Sequence, residues 1–250
     1  MSGTAPAGAA ALRALHLRVP PGGRPLVLPG PWDAASARAF EEAGFPALAT
    51  PSAGIAAALG HEDGATPAAE MFAAVARIAR AVSVPVTADV EGGYGLSPKE
   101  LVARVLETGA VGVNLEDSDR THGLKEPAAQ ADFLAAVRAE AGRELFVNAR
   151  VDTYLHPTVH EDTTAAAVER GRLYEAAGAD CVYPIKAPAE DLPELRAGIA
   201  GPLNFLVRPG DPPFAELGRL GATRITFGPG LLLRTLQGVT ALAEELLRDA

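Results

Sequence analysis

A (β/α)8 barrel of the TIM type, an α/β fold built as one domain behind a short N-terminal helix, is what this sequence predicts. Three observations carry the prediction. Eight short β-branched or apolar runs recur along the chain, with amphipathic helical stretches between them. Several of these runs are apolar almost throughout, as strands of a parallel sheet covered on both faces must be. A length of 250 residues matches one such barrel, and no linker or shift in composition divides it, so residues 1–250 are expected to form a single domain.

The elements can be justified in chain order. Residues 1–12, rich in Ala, Gly and Pro, are expected to be flexible at their start, with a short helix near Ala9–Leu17. Strands are expected at Leu26–Leu28, Ala47–Thr50, Pro85–Val90 and Gly112–Glu116, then at Leu145–Arg150, Cys181–Ile185, Leu203–Val207 and Thr223–Phe227. Four of them follow a repeated stop signal, Glu-Ala-Gly-Phe at Phe45, Glu-Thr-Gly-Ala at Ala110, Ala-Ala-Gly-Ala at Ala179 and Arg-Leu-Gly-Ala at Ala222. Gly44, Gly109, Gly178 and Gly221 fit the position just past a helix, where φ must be positive. Ser97-Pro98-Lys99-Glu100 supplies an N-cap serine, a proline for the first helical position and a capping-box glutamate. Leu101, Val102, Val105 and Leu106 then form one apolar stripe. A last helix is expected from about Gly230 to Arg248.

Composition excludes several classes of function. A net charge of −9 without a basic cluster argues against nucleic-acid and anionic-membrane partners. The single cysteine, Cys181, permits no intramolecular disulfide and suits a reducing cytoplasm. No cationic segment leads into an apolar one at the N-terminus, and no run of 18 apolar residues occurs, so a soluble cytoplasmic protein is expected.

The chemistry gathers at the strand ends. Val86–Gly95 reads V-T-A-D-V-E-G-G-Y-G, an apolar run that closes on two acids and a glycine turn. Residues two apart on a strand face the same way, so Asp89 and Glu91 are expected to share a direction at the C-terminal end, where barrel enzymes keep their active sites. Two like charges there need a cation or a proton. Thr50–Gly54 and Asp63 follow the second strand, Glu116 and Asp117 the fourth, and Asn148, Arg150 and Asp152 the fifth. An all-oxygen set of this kind suits Mg2+, or Mn2+ in its place, and no His or Cys pairs at zinc spacing occur. Arg150 offers a fork for a carboxylate or phosphonate. Plainer readings stand beside these. Asp63 alone fits a helix cap, Glu116 a structural bridge to Arg150, Thr50–Gly54 an ordinary turn, and Cys181 a buried apolar position. His61, His122, His156 and His160 fall in loops and read as surface residues.

The blocks P-G-P-W-D (Pro29–Asp33), S-A-G-I-A-A-A-L-G-H-E-D-G (Ser52–Gly64), P-V-T-A-D-V-E-G-G-Y-G (Pro85–Gly95), G-V-N-L-E-D-S (Gly112–Ser118) and N-A-R-V-D (Asn148–Asp152) occur in this order. Together they resemble the isocitrate lyase/phosphoenolpyruvate mutase superfamily, in its short phosphonomutase-like branch, across residues 24–235. The resemblance implies a barrel that binds Mg2+ and a 2-oxo acid at its C-terminal mouth. Family metal residues map onto Asp89, Glu91 and Glu116, the loop aspartate onto Asp63, the substrate arginine onto Arg150 and the oxyanion-type amide loop onto Ser52, Ala53 and Gly54. Glu91 stands where many members have a second aspartate. Asn148, His122 and Lys125 are further candidates for substrate contact. The implied partners are a small 2-oxo carboxylic acid and further copies of the chain, as a homodimer or homotetramer.

Departures from the family narrow the expected chemistry. The cysteine-bearing K-[KR]-C-G-H-type loop of isocitrate and methylisocitrate lyases is replaced by Asp117–Lys125, which has no cysteine. The longer gating loop of the mutase branch is not matched, and its histidine after the sixth strand gives way to Tyr183-Pro184-Ile185-Lys186. Pro51 falls near a position where the family donates an amide, which proline lacks. The family's exchanged terminal helix is expected to be shortened or missing. A Mg2+-dependent lyase, decarboxylase or hydrolase of a C–C bond, working through an enolpyruvate-like intermediate, is the leading expectation. Phosphoenolpyruvate phosphonomutase or phosphonopyruvate hydrolase is the second, and a non-catalytic barrel that binds a 2-oxo acid is the third.

Overall fold

The structure, a computed structural model, describes residues 8–20, 22–119 and 123–249. The chain runs α1 (Ala9–Leu17), β1 (Leu26–Val27), α2 (Ala34–Glu42), β2 (Leu48–Thr50), α3 (Ser52–Leu59), α4 (Ala68–Arg80), β3 (Val86–Asp89), α5 (Pro98–Thr108) and β4 (Gly112–Glu116). It continues through β5 (Ser118–Asp119), β6 (Gly123–Leu124), α6 (Pro127–Ala141), β7 (Phe146–Val151), α7 (Thr163–Ala176), β8 (Cys181–Pro184), α8 (Leu192–Gly198), β9 (Asn204–Leu206), α9 (Phe214–Leu220), β10 (Arg224–Thr226) and α10 (Gly230–Arg248). Each of the eight expected strands is present, shorter by a residue or two at most ends. The hairpin of β5 and β6 was not expected. It is antiparallel, with Ser118 opposite Leu124.

Parallel pairing joins β2, β3, β4, β7 and β8 in order, and β9 to β10 to β1. Val182 donates to Pro202 O at 2.9 Å across the β8–β9 seam, and Ala49 donates to Pro29 O at 3.0 Å across the β1–β2 seam. The sheet thereby closes on itself. Strand period places Leu115, Val147 and Val182 against the helices, and Asn114, Asn148 and Cys181 inside the barrel. Gly112 is required by this inner packing, because a Cβ there would lie 2.9 Å from Thr87 Oγ1 and 3.0 Å from Phe146 O.

Helix ends follow the local signals. Ser97 and Glu100 form the expected capping box over Pro98, and Leu101, Val102 and Val105 are buried in the shared core. Gly44, Gly109, Gly178 and Gly221 take φ between 85° and 124°, as the stop signals require. The N-terminal segment forms the short helix expected near Ala9–Leu17. From Ala9 it is helical, and Leu12 is fully buried with Leu28, Phe146 and Cys181. Arg13 fixes α1 at the N-terminal end of the strands through Asp180 (2.7 Å) and the Leu145 carbonyl (2.5 Å). At the other terminus α10 is a full 19-residue helix, and Leu233, Leu236, Val239, Leu242 and Leu246 leave an apolar stripe exposed along it. No described helix is long and apolar enough to cross a membrane.

Candidate active site

The C-terminal ends of the strands open on two adjoining cavities that share Ser52, Asp63, Arg150 and Leu155 as walls. The first, about 390 Å3, is lined further by Glu91, Glu116, Ser118, Asp119, Asp152 and His156. The second, about 260 Å3, is lined by Asp89, Asn114, Tyr183, Lys186, Leu206 and Thr226 among others. Both are of a size for a small acid rather than a nucleotide.

Arg150 is the hub. It lies on β7 with Glu116 of β4 directly across the ladder and Tyr183 of β8 on its other side. Its Nη1 donates to Glu116 at 2.5 Å and stands 4.0 Å from Asp89. Its Nε and Nη2 fork onto Asp152 at 2.7 and 3.0 Å. Asp152 also accepts the Ser118 hydroxyl at 2.5 Å, and its own N–H donates to Asp117 at 2.8 Å. Asp117 is fully buried and takes Arg170 and Tyr174 at 2.9 and 2.7 Å, so it braces the site from behind. Burial opposes the charge on Arg150, but Asp152, Glu116 and Asp89 together raise its pKa above the ordinary value.

Three carboxylates share that single guanidinium. Burial raises the pKa of Asp89, against the pull of Arg150 and hydrogen bonds from the Glu91 amide and Ser52. Burial likewise raises Glu116, and Asp152, Asp89 and Glu91 add to it against Arg150. Among the described residues three carboxylates converge on Arg150, in the manner of sites that accept a further cation or a proton.

The shared facing of Asp89 and Glu91 does not come from strand period. β3 stops at Asp89, and Glu91 lies in the turn beyond it with φ 52°, its amide donating to Asp89 Oδ1 at 3.2 Å. A left-handed residue, rather than a pleat, swings the second carboxylate to the mouth. Ser52 and Ala53 line the second cavity in the first turn of α3, whose leading amides have no acceptor within the helix. Gly54 lines neither cavity; a Cβ on it would meet Pro51 Cγ at 2.8 Å, so its role is packing. Asp63 reaches both cavities from the loop after α3.

Two expected substrate contacts are corrected. Asn148 is fully buried inside the barrel and donates to Asn114 Oδ1 at 2.8 Å. It shares a face with Arg150 but sits two residues lower, about 7 Å below the mouth. Lys125 turns its ammonium to the Glu116 carbonyl at 3.3 Å and to Gln130 at 3.4 Å, where it ties down the end of β4. His122 lies outside the described residues. Tyr183 and Thr226 also line the second cavity and were not expected as site residues, whereas Lys186, weighed between a new substrate contact and a solvated lysine, lines it as well. Strand period could have found Tyr183, since it falls two residues after Cys181 on the inward face. Burial pushes its phenol up to about 12, so it stays protonated.

Asp89, Glu91 and Glu116 supply oxygen donors alone, which fits a hard divalent ion. Among the described residues no three acids, histidines or cysteines stand close enough to grip an ion directly.

Comparison with known proteins shows the family and the fold. The family model for phosphoenolpyruvate phosphomutase matches residues 12–247. The uncharacterized protein Rv1998c of Mycobacterium tuberculosis is 37% identical over 207 residues, covering 82% of this chain and 78% of its own. The oxaloacetate decarboxylase of Ectopseudomonas mendocina is 32% identical over 64% of this chain, which spans 57% of that enzyme. Among solved structures, a "putative phosphonomutase" from Burkholderia cenocepacia J2315 superposes with TM-score 0.86 at 37% identity, covering 95% of this chain and 97% of that one. A 2,3-dimethylmalate lyase superposes with TM-score 0.82 at 27% identity, covering 98% and 89%.

Proposed function

This chain belongs to the phosphoenolpyruvate phosphomutase family, and from that premise we propose that it is a Mg2+-dependent enzyme that breaks a C–C bond in a small 2-oxo acid by way of a pyruvate enolate. The observation that carries the reading is the mouth cluster, in which Arg150 is shared by Asp89, Glu116 and Asp152 beside the N-terminus of α3. Asp89, Glu91 and Glu116 would hold the ion, directly or through water. Bound there, Mg2+ would supply a Lewis acid that polarises the 2-oxo group.

The chain's own groups account for the rest. The amides of Ser52 and Ala53, at the positive end of α3, suit the substrate carboxylate or a developing oxyanion. Arg150 is held in one orientation by Asp152, and a substrate anion would share its Nη1 edge with Glu116. Asp63 overhangs both cavities and is placed to act as base or orienting group. The absence of a cysteine from Asp117–Lys125 leaves the proton for the product to another residue. Phosphonate chemistry is the second reading, favoured by the 37% identity to the Burkholderia protein described as a putative phosphonomutase. Assembly as a homodimer or homotetramer belongs to the same proposal, supported by the bare apolar stripe of α10, and sedimentation mass in solution tests it. A cytoplasmic setting is part of it too, supported by the one buried thiol.

The test is pyruvate release from oxaloacetate and from phosphonopyruvate, with Mg2+ and with EDTA. Release from a carbon acid that stops in EDTA and returns with Mg2+ or Mn2+ is expected. Turnover undiminished in EDTA would sink the metal reading. Pyruvate and phosphate from phosphonopyruvate alone would favour the phosphonate reading. Mg2+-dependent oxalate binding with no turnover would favour a non-catalytic barrel.

A further inference from the structure

We propose that the phenol of Tyr183 is the proton donor to the enolate carbon, an inference that rests on the C–C bond reading above. Breaking the bond between C3 and C4 of a 2-oxo diacid such as oxaloacetate releases C4 as CO2 and sends the electron pair into the C2–C3 bond, with the charge on the C2 oxygen. Pyruvate then requires one proton at C3. The chain's only cysteine, Cys181, cannot give it, because that thiol lies on the barrel floor with Leu12, Leu28 and Phe146. Asp152 and Glu116 are held in ion pairs with Arg150, at 2.7 and 2.5 Å.

Tyr183 has the right position and chemistry. It lines the cavity that holds Asp89, Asn114 and Ser52, although the residue is only 4% exposed. A buried O–H facing a small cavity delivers its proton to a bound substrate without competition from bulk water. The other described hydroxyls on the two cavities belong to Thr50, Ser52, Ser118 and Thr226. These aliphatic alcohols are far weaker acids than a phenol, whose ordinary pKa is about 10. Lys186 is exposed at the rim, where water would exchange its protons freely.

The surroundings also fix the ring. The Thr226 hydroxyl lies within hydrogen-bond reach of both the Tyr183 hydroxyl and Asn204 Oδ1, the latter at 3.3 Å. Arg150 is its partner across the β7–β8 ladder. In the step itself the pair in the C2–C3 bond forms the new C3–H bond as the O–H bond of Tyr183 breaks. The phenolate left behind is stabilised by Arg150 and takes its proton back from water.

The reverse of that step gives the experiment, since an enzyme that protonates the enolate also exchanges the methyl hydrogens of pyruvate. Pyruvate is incubated with enzyme and Mg2+ in D2O, and deuterium entry at C3 is followed by NMR. Tyr183→Phe is expected to slow exchange by about 100-fold or more. It should keep the wild-type melting temperature and bind oxalate with Mg2+ within about threefold of wild type, because only the hydroxyl is removed. Exchange by Tyr183→Phe at the wild-type rate overturns the assignment. Wild-type protein that binds oxalate with Mg2+ but exchanges nothing also overturns it, while leaving the binding site in place. Wild-type protein that neither binds oxalate nor exchanges pyruvate overturns the parent reading as well.

Discussion

At the floor of the barrel one carboxylate, Asp180, is held by two arginines, whereas at the mouth one arginine, Arg150, is held by three carboxylates. Asp180 receives Arg13 at 2.7 Å, Arg138 at 2.5 Å and the Val147 amide at 2.8 Å. Those arginines spend their remaining N–H groups on the carbonyls of Gly142, Arg143, Leu145 and Gly178. Every charge there has a partner, and the pairs staple α1 and α6 to the strand starts. At the mouth the proportion is inverted, and burial raises Asp89 and Glu116 above the carboxylate range. The same two residue types therefore do opposite work. A balanced cluster adds stability, whereas crowding carboxylates on one guanidinium costs stability, as functional sites commonly do.

Two substitutions set the clusters against each other. Asp89→Asn keeps an acceptor for the Glu91 amide but removes one of the crowded charges. It is expected to lower kcat/KM by about 1000-fold, the scale of losing a fixed charge at a reacting centre, and to leave the melting temperature unchanged or raised. A fall in stability with activity retained would show that the mouth, like the floor, is structural. Asp180→Ala is the opposite case. It leaves Arg13, Arg138 and the Val147 amide unpaired, for an expected loss of about 3 kcal/mol in denaturant unfolding. Its kcat/KM under conditions where it is folded should stay within about threefold of wild type. If instead activity collapses while stability holds, the division between the two ends is wrong.

The ease of reading the sequence also differs between the framework and the mouth. Apolar runs and Gly-containing stop signals gave all eight barrel strands, and the capping box over Pro98 gave the start of α5. These are local signals that depend on neighbours in sequence. Asp63, Arg150, Glu116 and Asp89 were legible for a related reason, since strand ends in a barrel all point to one mouth. What stayed hidden depended on distance along the inner wall or on backbone outside the regular regions. Asn148 faces the same way as Arg150 but one layer down, and periodicity reports direction rather than depth. Glu91 reaches the mouth through a left-handed turn that no alternation encodes. Lys125 is recruited by the Glu116 carbonyl from across the β5–β6 hairpin, a pairing that two-residue strands do not announce.

The smallest expected effect is a pH dependence that separates the two ends by sign. His16 of α1 stacks on Phe146 with ring centroids 4.3 Å apart and hydrogen-bonds the Leu12 carbonyl through Nδ1 at 2.8 Å. Burial, with Arg224 nearby, lowers its pKa from 6.5 to about 3. The folded chain then binds fewer protons at this site than the unfolded chain between those values. The stability it contributes is present above about pH 6.5 and is lost as pH falls toward 3. At the mouth the sign is reversed. Asp89 and Glu116 are raised on folding, so their cost is greatest above their folded pKa values and fades as acid neutralises them. Between pH 7.5 and pH 5 the floor should cost wild-type protein up to about 2 kcal/mol, partly masked by the gain at the mouth. His16→Phe removes the first contribution and keeps the stacking surface. Its unfolding free energy should fall less than wild type over that interval, or rise. Equal pH slopes for the two proteins would mean that His16 is protonated in the folded chain, and that the floor of the barrel is less sealed than its packing indicates.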